Sequence, residues 1–114
     1  MATILFQEGQ AEPGPHSVHF RKQLLPNVVD GMAVARPQAL IAEFPVSPTS
    51  FEAGYRKVTY KAYANAVNGA AWWLTKELGA GKDFETLAYM GWNDIRYTVM
   101  LFGAIKAGYK VLFF

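Results

Sequence analysis

The pattern of residues 86–114 constrains the fold of this chain more than any other stretch. Thr86–Trp92 is a short apolar run that predicts a strand, and Asn93 follows it as the predicted N-cap of a helix. An asparagine side-chain oxygen accepts hydrogen bonds from the free amides of a first helical turn. From Ile95 apolar residues recur at helical spacing, and Gly108 supplies the glycine that favours a helix end. The stretch therefore predicts a strand followed by a helix.

A second strand follows that helix. Lys110–Phe114 is apolar without polar alternation, which is typical of a parallel strand covered on both faces. Together with Thr86–Trp92 it predicts a right-handed parallel βαβ unit. An apolar strand at a sheet edge invites pairing with another chain. We therefore expect the isolated chain to self-associate through its C-terminal strand.

Residues 25–59 predict a helix followed by a β-hairpin. The helix begins near Leu25-Pro26 and ends at Arg36-Pro37, because proline is tolerated in a first turn and the residue before a proline disfavours the helix. Ala39–Phe44 and Tyr55–Thr59 are predicted strands, joined by a loop rich in proline, serine and glycine. The residues expected to form the buried stripe of the helix are Leu25, Val28, Val29 and Met32.

The longest helix is predicted between Thr59, its expected N-cap, and Gly79, which ends it. Trp72 and Trp73 point to different faces of this helix, so we expect at least one of them to pack under a neighbouring loop. Its apolar stripe over five turns consists of Tyr60, Tyr63, Ala64, Val67, Ala71, Leu74 and Leu78.

These elements place the chain in the α/β class, with a parallel βαβ unit, a β-hairpin and two further helices. Residues 1–22 carry two prolines and two glycines with little periodicity, which predicts a flexible N-terminal arm. Residues 23–114 carry the helical and strand patterns, and they form at most a single domain. The composition, 52% hydrophobic and 18% charged, suits a surface that meets more protein.

Composition also excludes several functions. The net charge of +2 is small and the Lys and Arg residues are scattered, which argues against nucleic acid as a partner. The absence of cysteine excludes a disulfide framework, a thiolate nucleophile and a cysteine-ligated metal. No apolar run approaches the ~20 residues that a membrane span needs. We therefore expect a cytoplasmic protein without membrane contact.

Two segments raise the possibility of ligand binding. Gly79-Ala-Gly-Lys82 resembles the end of a phosphate-binding loop, but it lacks the first glycine and the Ser/Thr, and it follows a helix instead of preceding one. We interpret it as a glycine helix stop with a solvated lysine. His16 and His19 would need further ligands to hold a metal, so we interpret them as solvated side chains.

Three other sets of side chains have both a functional and a structural interpretation. Asp94 and Arg96 follow a strand at the edge where open α/β sheets bind ligands, but capping explains them more simply. Lys106 lies in the last turn of a helix, where a cation is favoured. Five aromatic residues suggest a base-stacking platform, but their positions favour core packing: Trp72, Trp73, Tyr89, Trp92 and Tyr97.

Several segments resemble the adenylate-forming enzymes, a superfamily that includes acyl-CoA synthetases, luciferases and the adenylation (AMP-binding) domains of nonribosomal peptide synthetases. Val58–Asn65 resembles their first core motif, and Ala104–Leu112 resembles the second. Leu25–Asp30 is similar to their opening helix. Ala66–Leu74 and Gly91–Tyr97 are similar more narrowly to fungal synthetase-like enzymes, in which adenylation, carrier and terminal domains are joined.

The resemblance implies what a full-length relative does. Such an enzyme is a ligase that uses ATP and Mg²⁺ to convert a carboxylic acid to an acyl-adenylate, and it passes the acyl group to a pantetheine thiol. The family's ATP-binding and catalytic motifs follow the second core motif, so the resemblance assigns no catalytic, cofactor-binding or metal residue to this chain. It implies a truncated fragment that is inactive alone, with the rest of the adenylation domain and a carrier domain as partners. Ala62 departs from the acidic residue that is usual in the first motif.

Two rival interpretations remain. The chain would be a self-contained α/β binding or regulatory module if it bound a partner without binding nucleotide. A small nucleotide-binding enzyme is the other rival, but the sequence offers no phosphate cradle for it.

Overall fold

The computed structural model describes residues 24–113. They form a mixed α/β structure, which confirms the predicted class. Three helices and four strands follow in the predicted order: α1 (Leu25–Ala35), β1 (Leu40–Pro45), β2 (Tyr55–Thr59), α2 (Tyr60–Leu78), β3 (Thr86–Tyr89), α3 (Ile95–Ala107) and β4 (Lys110–Phe113). The predicted flexible arm, residues 1–22, and the histidines at 16 and 19 lie outside the described residues.

The strands form two separate pairs. β1 and β2 are antiparallel, running from Leu40 opposite Thr59 to Pro45 opposite Tyr55, with an irregularity between Leu40 and Ala42. β3 and β4 are parallel, and their register confirms the βαβ unit: Thr86↔Lys110, Leu87↔Val111, Ala88↔Leu112 and Tyr89↔Phe113. Within residues 24–113 each pair is a two-stranded sheet of its own.

The caps of the two longer helices show how the chain enters them. The backbone N–H of Ala62 donates to Thr59 Oγ1 at 3.1 Å, so the predicted cap of α2 is confirmed. For α3 the prediction of Asn93 was wrong, because Asp94 is the N-cap and accepts from the N–H of Arg96 at 2.9 Å. Gly108 ends α3 in the left-handed conformation, as its position predicted.

The core of residues 24–113 consists of two clusters that share helix α2. The first joins α1 and α2 around Val29, Tyr63 and Val67, and Val67 is fully buried. The second joins α2, α3 and the residue before β4 through Leu74, Ala104 and Tyr109. Aliphatic side chains of β3 and β4 pack against this second cluster, so α2 and α3 together cover one face of the parallel pair.

A glycine lets α2 and α3 approach closely between the two clusters. Gly103 of α3 is buried against α2, and a Cβ at this position would lie 2.8 Å from the Cβ of Ala70 and 3.2 Å from the carbonyl oxygen of Val67. Real Cβ atoms do not approach other heavy atoms at the shorter of these distances. The contact between the two helices therefore depends on the missing side chain.

Several predicted burials are wrong. Leu25 and Leu78 are 65% and 57% exposed, because they lie in the first turn of α1 and the last turn of α2, beyond the neighbouring helices. Trp72 and Trp73 are 69% and 53% exposed, so neither packs under a loop. At ~100° per residue each indole points more than ~100° away from the buried Val67, on the side that α1 and α3 do not cover.

The coverage of β4 also differs from the prediction. Its residues alternate between exposed and half-buried positions, as do those of β3. Leu112 is 50% exposed, and Ala88 beside it is exposed as well. The expectation that both faces are covered is wrong for the described residues, because helices pack on one face of β3–β4 only.

Gly81 and Gly108 bring the loop between α2 and β3 close to the end of α3. The N–H of Gly81 donates to the carbonyl of Ala107 at 2.7 Å, and a Cβ at Gly81 would lie 2.2 Å from the carbonyl oxygen of Gly108. The hydroxyl of Tyr109 donates to the carbonyl of Gly79 at 2.6 Å. The loop between α2 and β3 is therefore fixed to the end of α3 by a main-chain hydrogen bond and to Tyr109 by a side-chain hydrogen bond.

Candidate functional site

Asp94 and Arg96 lie where β3 leads into α3, as the sequence predicted. The guanidinium of Arg96 donates to both carboxylate oxygens of Asp94, with Nη2 to Oδ2 at 2.6 Å and Nε to Oδ1 at 3.0 Å. The same carboxylate accepts the backbone N–H of Arg96. The structural interpretation as a cap therefore holds, since the carboxylate and the guanidinium are engaged with each other.

This arrangement sets the protonation behaviour of the cap. The side-chain hydrogen bonds from Arg96 hold the pKa of Asp94 below its ordinary value, and Asp94 in turn raises the pKa of Arg96. A carboxylate whose folded-state pKa is lowered stabilises the fold fully above its unfolded-state pKa. That stabilisation is lost as the pH falls through the folded-state pKa, so the cap of α3 weakens only in acid.

An aromatic cluster lies beside this cap. Tyr97 stacks on Phe113 with ring centroids 4.9 Å apart, and it meets Tyr89 edge-on at the same distance. Tyr89 and Tyr97, two members of the suggested base-stacking platform, thus pack against each other and against β4. Both rings are half-buried and packed in this aromatic cluster, but neither belongs to the two core clusters.

The core interpretation is wrong for the three tryptophans. Trp92 is 77% exposed and follows β3, while Trp72 and Trp73 lie on the outer side of α2. The ammonium of Lys76 lies 5.6 Å from the ring centroid of Trp72. Within residues 24–113, exposed indole rings therefore lie at two places: on the outer side of α2 and just after β3.

A polar cluster that the sequence did not reveal joins all three helices. The ammonium of Lys106 in α3 donates to the carboxylate of Asp30 in α1 and to the side-chain oxygen of Asn68 in α2. The side chain of Lys106 is 19% exposed and that of Asp30 is 40% exposed. From the sequence, only the place of Lys106 in the last turn of α3 could be predicted. Its partners lie 76 and 38 residues earlier in the chain, so no local pattern connects them.

An open groove between α1 and α2 borders this polar cluster. Its volume is about 530 Å³. Its lining combines aliphatic and polar side chains: Asp30, Ala33, Val34, Pro37, Lys61, Ala64, Asn65 and Asn68. Asp30 and Asn68 belong to both features, so Lys106 fixes the side chains at one end of the groove.

Replacing Lys106 with methionine is expected to lower the free energy of unfolding by about 1–2 kcal/mol. The change removes the charge-assisted hydrogen bonds but leaves the carboxylate of Asp30 between the helices, and its partial exposure moderates the loss. Urea unfolding followed by circular dichroism measures this difference. Lys61→Met, at an exposed position of α2, is the control and should change stability by less than ~0.5 kcal/mol.

A double-mutant cycle separates the ion pair from general packing. Asp30→Asn combined with Lys106→Met should cost less than the sum of the two single changes, because each removes the same interaction. Additive effects of the two substitutions would contradict a direct contribution of this pair.

The loop at Gly79–Lys82 does not form a phosphate cradle. The N–H of Gly79 donates to the carbonyl of Thr75 at 2.9 Å, and that of Gly81 donates to Ala107. The N–H of Lys82 donates to the carboxylate of Glu85 at 3.2 Å. Hydrogen bonding to backbone N–H groups, its own first, lowers the pKa of Glu85. These donors are already used, which supports the interpretation as a glycine helix stop.

Two further kinds of site, a metal site and a membrane-spanning helix, are absent from residues 24–113. No three histidine or carboxylate side chains there converge as a metal site would require. None of the helices of this part of the chain combines the length and the apolar character needed to cross a bilayer.

The fold and the side chains define a small α/β scaffold, in which the polar groups described above serve as caps and as links between helices. No protein-family model matches the chain. It is 30% identical over 98 residues to the isocyanide synthase-NRPS hybrid crmA of Aspergillus fumigatus, a match that covers 85% of this chain and 6% of that protein. It is 35% identical over 96 residues to a carboxylic acid reductase of Neurospora crassa, covering 82% of this chain and 9% of that protein.

These matches show that the chain has relatives among NRPS-like enzymes and carboxylic acid reductases. The chain spans less than a tenth of the length of either of these curated relatives. The similarity therefore concerns one part of much larger enzymes.

Proposed function

We propose that this chain forms the N-terminal part of an adenylation domain in an NRPS-like enzyme, and that it acts there as scaffold. The observation that carries the proposal is the similarity of most of this chain to both an NRPS hybrid and a carboxylic acid reductase. The order of Val58–Asn65 and Ala104–Leu112, which resemble the first two core motifs of adenylate-forming enzymes, supports it.

The structural position of these two segments is consistent with scaffolding. Val58–Asn65 covers the end of β2 and the start of α2, and Ala104–Leu112 covers the end of α3 and most of β4. Both contribute residues to the two core clusters, among them Tyr63 and Ala104. Their place in the core gives both segments a packing role in this chain.

An enzyme of this class activates a carboxylic acid with ATP and Mg²⁺ and transfers the acyl group to a pantetheine thiol. The loop at Gly79–Lys82 does not fit a phosphate group, because the amides of Gly79, Gly81 and Lys82 already have protein acceptors. We therefore assign no step of the reaction to them. The partners of the scaffold would be the rest of the adenylation domain and a carrier domain.

A chimera tests this proposal. The segment of the Neurospora crassa carboxylic acid reductase that aligns with this chain is replaced by the corresponding residues of this chain. We expect the chimera to catalyse carboxylate-dependent ATP–pyrophosphate exchange, whereas this chain alone does not. A chimera with Gly81→Leu is the control and should lose the exchange, because the close approach to Gly108 is blocked.

Three results would count against this proposal, each for a different reason. Exchange catalysed by the isolated chain with any carboxylic acid would contradict a scaffold role. A folded chimera without exchange activity would contradict the adenylation-domain assignment. Binding of this chain in trans to the unmodified reductase would instead favour a separate binding module, for which the exposed Trp72 and Trp73 offer a surface.

A further inference from the structure

Helices α1 and α2 pack side by side and run in opposite directions. The N–H of Lys61, in the first turn of α2, donates to the carbonyl of Pro37, which follows α1, at 3.1 Å. Nearer the start of α1, Asp30 comes level with Asn68 of α2, because Lys106 bonds to both of them. The contacts between the helices thus move toward the start of α1 as α2 proceeds.

Trp72 lies level with the start of α1. It is one turn beyond Asn68 on α2, while Leu24, the N-cap of α1, lies six residues before Asp30. At ~1.5 Å per residue these steps run about 6 Å and about 9 Å in the same direction. Trp72 also lies within ~40° of Asn68 around the helix axis, on the side of α2 that lines the open groove. It therefore continues the α2 wall of this groove to the point where the chain enters α1.

The exposure of Trp72 follows from this position. Its side chain is 69% exposed, and Leu24 is 63% exposed. Helix α1 forms the other wall of the groove, but it begins at Leu25, so its residues end before they cover the indole. The part of the chain that would extend the α1 wall past Trp72 is the part that precedes Leu24.

The residues just before Leu24 belong to the region that a relative shares. The match to the Aspergillus fumigatus hybrid covers 85% of the 114 residues, which is about 97 residues. A match of that length includes residues 18–97 wherever it begins. Residues 18–23 thus lie in the same region of similarity as α1 and α2. Within them, Val18 and Phe20 are the large apolar residues.

We propose that residues 18–23 cross α2 and that Phe20 packs against the indole of Trp72. Phe20 is four residues from Leu24, and an extended chain of this length reaches ~13 Å at ~3.3 Å per residue. The two residues that follow Phe20 are charged and remain in solvent, as such residues usually do. In an extended segment Val18 lies on the same side as Phe20 and widens the contact.

Attachment favours this segment over a separate partner as the occupant. A group that is tethered by a short linker has an effective concentration in the millimolar range, which a free partner rarely reaches. The position of the tether also limits what the segment covers. Trp73 lies ~100° further around α2, away from the groove, so the contact covers Trp72 and leaves Trp73 exposed.

Acrylamide quenching of tryptophan fluorescence in the full chain tests the proposal. The chain has three tryptophans, so Trp73→Phe together with Trp92→Phe leaves Trp72 as the only indole. In this background Phe20→Ser should shift the emission to longer wavelength and raise the quenching constant, because the indole loses its cover. Phe6→Ser, the same change nearer the N terminus, is the control and should alter neither quantity.

A second background tests which side of α2 is covered. Trp72→Phe together with Trp92→Phe leaves Trp73 as the only indole, and Phe20→Ser should not change its quenching. A general loosening of the fold would change the quenching of both indoles. Circular dichroism of each variant confirms that it is folded.

A spin label tests the contact while Phe20 is kept. The chain has no cysteine, so Ser17→Cys gives a single site for a nitroxide. In the background with Trp72 alone, this label should quench the fluorescence more strongly than the same label at Gln7→Cys. Equal quenching by the two labels would contradict a docked segment.

Other outcomes also overturn the inference. Phe20→Ser would then leave Trp72 unchanged, or it would change Trp72 and Trp73 equally. Quenching of Trp72 that depends on protein concentration would identify a second copy as the cover instead. The inference concerns this chain's own residues and does not rest on the proposed function, so the reductase chimera can fail without affecting it.

Discussion

Gly81→Ala is expected to lower the free energy of unfolding by about 3 kcal/mol or more, enough to unfold much of a marginally stable protein. The new Cβ would lie 2.2 Å from the carbonyl oxygen of Gly108 and 2.5 Å from its carbonyl carbon. Both atoms belong to the main chain, so no rotamer change relieves the overlap. The hydrogen bond from Gly81 to Ala107 would have to break.

Gly54→Ala is the control for this substitution. Gly54 lies in the hairpin loop with φ 84°, and nothing approaches its missing Cβ within 4 Å. Its replacement should cost only the strain of a left-handed alanine, about 1–2 kcal/mol. Chemical denaturation of both variants, followed by circular dichroism, measures the difference. Equal losses for the two variants would mean that the main-chain contact between Gly81 and Gly108 contributes little.

Gly103→Leu is expected to cost about 3 kcal/mol, since it forces α2 and α3 apart. A single carbon at this position already meets Ala70 at 2.8 Å and the backbone nitrogen of Ala71 at 3.1 Å. Overpacking of this kind costs 1–3 kcal/mol and occasionally more, while helix propensity returns less than ~1 kcal/mol. Thermal and urea unfolding report the loss.

Gly69→Leu gives the opposite result at a matched position. Gly69 lies within α2, it is exposed, and its Cβ position is open. Leucine there gains helix propensity without a clash and should stabilise the protein by about 0.5–1 kcal/mol. Destabilisation by both leucines would show that the close contact of α2 and α3 is not the cause of the effect at Gly103.

The sequence predicted the elements of this fold well, because their signals are local. β2 followed from the turn-forming loop before it, and the start of α3 followed from apolar periodicity. Thr59 and Gly108 are end signals that need no partner elsewhere in the chain. The parallel pairing of β3 and β4 also followed, since a helix between two apolar strands returns the chain to the same sheet.

The choice between Asn93 and Asp94 shows where local reasoning fails. Both residues are good N-caps. Asp94 is preferred in the structure because its carboxylate pairs with the guanidinium of Arg96 while it accepts the backbone N–H. The hydrogen bonds that Arg96 donates to Asp94 therefore decide between two residues that are equally good N-caps by type.

The polar contacts between helices were not predictable from the sequence. Lys106, Asp30 and Asn68 occupy ordinary helix positions, and only the packing of α1, α2 and α3 brings them together. The approach of Gly81 to Gly108 was not predictable either. Each glycine has a local explanation as part of a turn, and neither residue indicates that the two lie in contact. The exposure of Trp72 and Trp73 required knowing which side of α2 the other helices cover.

Helix α2 belongs to both core clusters, with Tyr63, Ala64 and Val67 in the first and Leu74 in the second. A fluctuation that detaches the middle of this helix opens both clusters at once. Cooperative opening units are defined by such shared burial. We therefore expect the hairpin half and the βαβ half of the molecule to melt as one unit.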